Sequence, residues 1–117
     1  MKNTLKIGIA SVEEQRKRTL AIALGERKRE EDEPTIWFPS RAALLSVFSD
    51  ENCALLEVIR SNRPKTITLL AETVRKEPSN VSRSLHLLER FGVVRLVKKG
   101  REVQPEVVFE HVNVALV

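Results

Sequence analysis

The sequence predicts an α+β fold, and three observations carry that prediction. Apolar residues recur at helical spacing through the middle of the chain, and short alternating runs flank it. Between residues 67 and 101, two short helical patterns meet at a tight break, Glu77-Pro78-Ser79, and lead straight into a hairpin. The expected order is β-α-β-α-α-β-α-α-β-β-β.

Each element has a local reason. In residues 4–10, Leu5, Ile7 and Ile9 alternate with Lys6 and Gly8, the period of a strand. Ser11-Val12-Glu13-Glu14 forms a capping box, so a helix is expected over about 12–28, with Val12, Leu20, Ala21, Ala23 and Leu24 as its apolar stripe. Residues 29–33 are a charged exit, and Pro34 stops the helix. Thr35-Ile36-Trp37-Phe38 is a short β-prone run. Ser40 caps a helix over 41–48, and Ser49-Asp50 opens another over 51–62 that Arg63-Pro64 ends. Lys65-Thr66-Ile67 reads as extended, and Thr68 as the cap of a helix reaching about Lys76. The next helix is expected over about 79–91, with Gly92 closing it. Residues 93–97 alternate as a strand, Lys98-Lys99-Gly100-Arg101 is the hairpin tip, and 102–109 return, with Pro105 implying an edge or bulge. Val112, Val114 and Leu116 alternate in a last strand. The outer strands could pair with each other or with a second copy of the chain.

Composition narrows the function. The 117 residues are 42% hydrophobic and 31% charged, enough for one domain with appendages. No run approaches the ~20 apolar residues of a membrane span, and the start lacks the pattern of a signal peptide, so no membrane is expected and the cytoplasm is the expected compartment. The net charge of +4 is unevenly spread. Residues 1–59 carry nine Lys+Arg against ten acids, residues 60–101 carry eleven against three, and residues 102–117 carry three acids alone. A cationic segment of this kind suits a polyanion, although charge alone equally describes a solvated face.

The second helix of the 67–101 stretch holds the chemistry. Phased on Val81, Leu85 and Leu88 fall within about 40° of it, at ~100° per residue. Ser79, Ser82, Arg83, His86 and Arg90 fall on the opposite side, with no acid at its centre; Glu89 lies on one flank and Asn80 near the other. A helix has the diameter to enter the major groove, where Arg pairs with guanine, Asn with adenine, and Ser donates or accepts. The first helix would brace it, and a basic hairpin tip would reach neighbouring phosphates. This is the arrangement of a winged helix-turn-helix: three helices and a β-hairpin wing, here with an N-terminal β-α-β extension and a C-terminal strand.

Pro78-Ser79-Asn80-Val81-Ser82-Arg83-Ser84-Leu85 and Leu87-Leu88-Glu89-Arg90-Phe91-Gly92-Val93-Val94 resemble the recognition helix and exit of MarR-like winged-helix regulators, and Thr66-Ile67-Thr68-Leu69-Leu70-Ala71 is similar to their brace helix. Val93 replaces the usual Leu. The likeness covers about 54–101, under half the chain. The outer layout is also similar to small prokaryotic DNA-binding proteins in which a strand, a helix and a Trp-containing strand precede the winged helix. The resemblance implies a homodimer on a pseudo-palindrome, with base contacts at Ser79, Asn80, Ser82 and Arg83 and wing contacts at Lys98, Lys99 and Arg101. Lys65, Thr68, His86 and Arg90 are expected to meet phosphates. Residues 1–39 are the expected dimerisation extension, through Leu5, Ile7, Ile9, Leu20, Leu24 and Trp37. Residues 40–110 are the expected DNA-binding domain, and 111–117 its trailing strand.

The alternatives belong to other classes. Basic residues could meet an acidic protein instead, and an antitoxin would combine a toxin-binding flank with a promoter-binding core. For an enzyme there is no nucleophile–base pair, phosphate loop or paired carboxylates, so no catalytic residue and no cofactor is expected. Two His and one Cys make no zinc set, and the acids at Asp50-Glu51 and Glu30–Glu33 read as caps and linker rather than a metal site. RNA binding lacks aromatic surface: there is no Tyr and there are four Phe. Cys53 reads as structural packing, and His111 as structural.

Overall fold

A computed structural model describes residues 4–28, 30 and 33–115 of the chain. The expected Leu116 of the last strand lies outside them, as do Arg29, Glu31 and Asp32 of the charged exit. The fold is α+β. In order it comprises β1 (Thr4–Ile9), α1 (Val12–Ala23), β2 (Ile36–Phe38), α2 (Arg41–Val47), α3 (Asp50–Asn62), α4 (Ile67–Val74), α5 (Pro78–Arg90), β3 (Val94–Lys99), β4 (Glu102–Val107) and β5 (His111–Ala115). Its contacts divide into two units, one of residues 1–46 with 110–117, the other of residues 47–109. Among the described residues, no helix is long and apolar enough to cross a membrane.

In the first unit, β1 is the centre of a sheet ordered β2-β1-β5, and it pairs in parallel with both neighbours. The first and last strands thus pair with each other, Thr4 opposite His111 and Ile7 opposite Val114. Gly8 pairs with Trp37, and a Cβ on Gly8 would sit 2.5 Å from the indole ring and 2.7 Å from Pro34. The glycine is what lets the ring come this close to β1. Above the ring, the Arg18 guanidinium stands 4.8 Å from its centroid and also pairs with Glu33. Arg27 reaches the other oxygen of Glu33 at 2.9 Å.

Helix α1 begins as expected: the Ser11 hydroxyl accepts from the Glu14 amide at 3.1 Å. It ends earlier than expected. Gly25 takes φ 75°, its amide donates to Ile22 and that of Glu26 to Ala21, the paired bonds of a Schellman end. The glycine stops the helix, with no help from Pro34. The apolar stripe also differs. Val12, Leu20 and Leu24 remain 53%, 59% and 63% exposed. The covered side runs through Gln15, Arg18 and Ile22, toward Thr35 and Trp37.

In the second unit, α3, α4 and α5 surround one core with the hairpin of β3 and β4. Its buried apolar residues include Leu55, Ile59, Leu70, Ala71, Val81, Leu85, Leu88, Val93 and Val94. The stretch expected as extended before α4 contains no strand. Thr66, in extended conformation, caps the helix by accepting from the Leu69 amide at 3.0 Å, and Ile67 is already helical. The cap is therefore Thr66 rather than Thr68, because only Thr66 stands three residues before a free amide of the first turn. β3 and β4 pair without a bulge, Leu96 opposite Pro105 and Lys99 opposite Glu102. Each strand of a two-stranded ribbon has a free edge, so the missing N–H of Pro105 is tolerated.

Candidate nucleic-acid interface

α5 starts on Pro78, where a fixed φ suits the first turn and the absent N–H has no helical partner to lose. It packs on α4 and on β3. Val81, Leu85 and Leu88 are at most 1% exposed. Ser79, Asn80, Arg83, His86 and Arg90 are exposed, and Ser82 is half-buried. The faces therefore segregate as phased, and Asn80 stands out in solvent despite its position on the flank. At the far end, Gly92 takes φ 73° and the chain turns directly into the buried Val93-Val94 and β3. The direction of α5 is thus fixed by a capped exit and an apolar anchor.

The exposed stripe is polar and open. His86 folds back onto its own helix: Nδ1 lies 2.7 Å from the Ser82 carbonyl oxygen, which can only accept, so Nδ1 donates to it. Arg83 and Arg90 make no ion pair among the described residues, so their guanidinium donors remain uncommitted.

The hairpin turns at Gly100 and Arg101, with Gly100 at φ 63°. Lys98 and Lys99 sit within β3 rather than in the turn, and alternation sends them to opposite faces of the ribbon. Lys98, Lys99 and Arg101 are all exposed. Lys99 is held along the ribbon by the Gln104 side-chain oxygen, and the Gln104 amide reaches the Pro64 carbonyl at 3.4 Å. Arg95 is neutralised across the ribbon by Glu106 at 2.9 Å. Lys98 and Arg101 have no polar partner among the described residues. Lys65 and Thr68 are exposed before and on α4.

Two cations outside the expected set belong beside this stripe. Arg75 and Lys76, at the turn from α4 to α5, line one hollow with Asn80 and Arg83, and Glu51 and Glu77 line it too. Lys76 is paired with Glu51 at 3.2 Å. Their sequence signal is the position itself, two cations just before the break.

The residues expected at a dimer contact lie in different settings. Leu20 and Leu24 are exposed, Leu5, Ile9 and Trp37 are half-buried, and Ile7 is 1% exposed. A partner could touch the first group directly; the Ile7 side chain is already covered by the chain itself. Val112 and Val114 of the edge strand β5 are also exposed.

Cys53 stands on the exposed side of α3, away from the packing role expected of it. Desolvation, and then the negative charges of Asp50 and Glu57, push its thiol above the ordinary value, which lowers its thiolate fraction. Among the described residues, no group of three or more His, Cys, Asp or Glu could hold a metal ion.

No curated protein matches the chain. The model of one family, described as HVO_A0114, matches residues 47–114, the helices α3 to α5, the hairpin and most of β5. That is more than half of the sequence, and the chain belongs to the HVO_A0114 family.

Proposed function

We propose that this chain is a sequence-specific double-stranded DNA-binding regulator of the cytoplasm, a MarR-like winged helix-turn-helix protein acting as a repressor by occlusion. The observation that carries the reading is α5: its apolar face is sealed in the core while an acid-free stripe of Ser79, Ser82, Arg83 and Arg90 stands outward. A groove-reading helix needs that combination of a rigid base and free donors. In this reading α4 is the brace and α5 the recognition helix. The ribbon of β3 and β4 is the wing, and Lys98 and Arg101 are its free cations. Ser79, Asn80, Ser82 and Arg83 meet base edges, and Lys65, Thr68, His86 and Arg90 meet phosphates.

The protein works as a homodimer through its first unit. The outward Leu20 and Leu24 of α1, and Val112 and Val114 of β5, support this, since apolar side chains left in water favour a partner. Two copies would read a pseudo-palindrome.

Selection of bound sequences from a random duplex pool tests the reading. It should return a site with two-fold symmetry and half-sites about one helical turn apart. A pool that emerges unenriched removes the function and favours a protein partner for the basic surface.

A further inference from the structure

Three helices of the described chain end in the same way, with a residue of positive φ and paired bonds back into the last turn. At the ends of α1 and α5 that residue is Gly25 at 75° and Gly92 at 73°. At the end of α4 it is Arg75, at φ 57°, whose amide donates to Glu72 while that of Lys76 donates to Ala71. Glycine adopts this conformation freely, whereas any Cβ is strained there. Arginine is thus an expensive choice for a cap. Residues held in this way cluster at functional sites, so what surrounds Arg75 bears on its role.

The surroundings of Arg75 indicate that role. Its side chain is exposed and makes no ion pair or side-chain hydrogen bond among the described residues. It lines the same hollow as Asn80 and Arg83 of the outward α5 stripe. Of the two acids there, Glu51 is engaged by Lys76. The left-handed cap sets an uncommitted guanidinium at the turn leading into α5. A guanidinium matches the paired oxygens of a phosphate.

We infer that Arg75 is a phosphate-binding residue that anchors the turn before α5 to the duplex backbone; the inference rests on the DNA-binding reading above. Arg63 supplies an internal comparison. It closes α3 at φ 45° and is likewise exposed, but it does not line the hollow.

The test titrates salt against binding of a mixed-sequence duplex by the full-length chain. The wild type is compared with Arg75→Gly, Arg75→Asn and Arg63→Gly. Glycine relieves the backbone and asparagine tolerates it, so the melting temperature should fall by no more than about 3 °C. Both Arg75 variants should bind about tenfold more weakly near 0.1 M salt, with a log–log salt slope shallower by about 0.9, the loss of one phosphate contact. Arg63→Gly should keep the wild-type slope. An unchanged slope in both Arg75 variants, or an equal loss in Arg63→Gly, overturns the assignment. A wild type that fails to bind the duplex overturns the DNA-binding reading itself, and the role of Arg75 with it.

Discussion

Gly8 shows how much one absent methyl group decides. Its neighbour across the sheet, Trp37, lies where a Cβ would stand, 2.5 Å away. A ring held between β1 and the Arg18 guanidinium cannot retreat without breaking the cation–π contact and the ion pairs of Glu33. Gly8→Ala should therefore destabilise the first unit by about 1–3 kcal/mol, the cost of overpacking a filled site. Chemical denaturation followed by the fluorescence of the single Trp would measure it. Stability equal to that of the wild type would mean that the ring is free to move. Glu33 belongs to the same cluster. Desolvation pushes its carboxyl up, but bonds from Arg27 and the Glu30 amide, with the charges of Arg18 and Arg27, outweigh that and hold it below its ordinary value of 4.5.

At the scale of elements, caps fix where each helix starts and stops. Ser11, Ser40, Ser49 and Thr66 each accept a bond from an amide of the first turn. Thr66 matters most for the candidate interface, because it sets the start of α4 and hence the helix on which α5 rests. Thr66→Ala should cost about 1 kcal/mol in thermal or chemical unfolding, and Thr68→Ala distinctly less. Equal effects would contradict the assigned cap. The serine caps and the amphipathic period of α5 were legible in the sequence, because both depend on spacing along one helix. The C-terminal end of α1 is also written locally, in Gly25, although Pro34 downstream is the stronger stop signal in sequence. The inward face of α1 was not legible at all. It is built on Arg18, whose role comes from Trp37 and Glu33 folding over it, and no periodicity in α1 encodes those partners. Nor does the sequence single out Arg75: a cation at a helix end is common, and its positive φ is a property of the folded backbone. The pairing of β1 with β5 was left open by sequence because each strand offers the same alternating pattern to any neighbour.

At the scale of the whole molecule, charge and apolar exposure are sorted along the chain. Residues 60–101, with eleven Lys+Arg against three acids, fall within the second unit and contain α4, α5 and the hairpin. Of the exposed large apolar side chains, Val12, Leu20, Leu24, Leu45, Val112 and Val114 fall within the first unit, and Leu69 of α4 falls within the second. Such sorting suits a protein with one surface for a polyanion and another for a second copy, and it makes salt dependence and symmetry the expected signatures of binding. The most direct measurement compares wild type and Arg83→Ala on the selected duplex and on a mixed-sequence duplex at one salt concentration. The variant should lose about 1–3 kcal/mol on the selected site and far less on the mixed sequence, so that preference narrows. Equal affinities of the two proteins for both duplexes would contradict a base-reading role for α5.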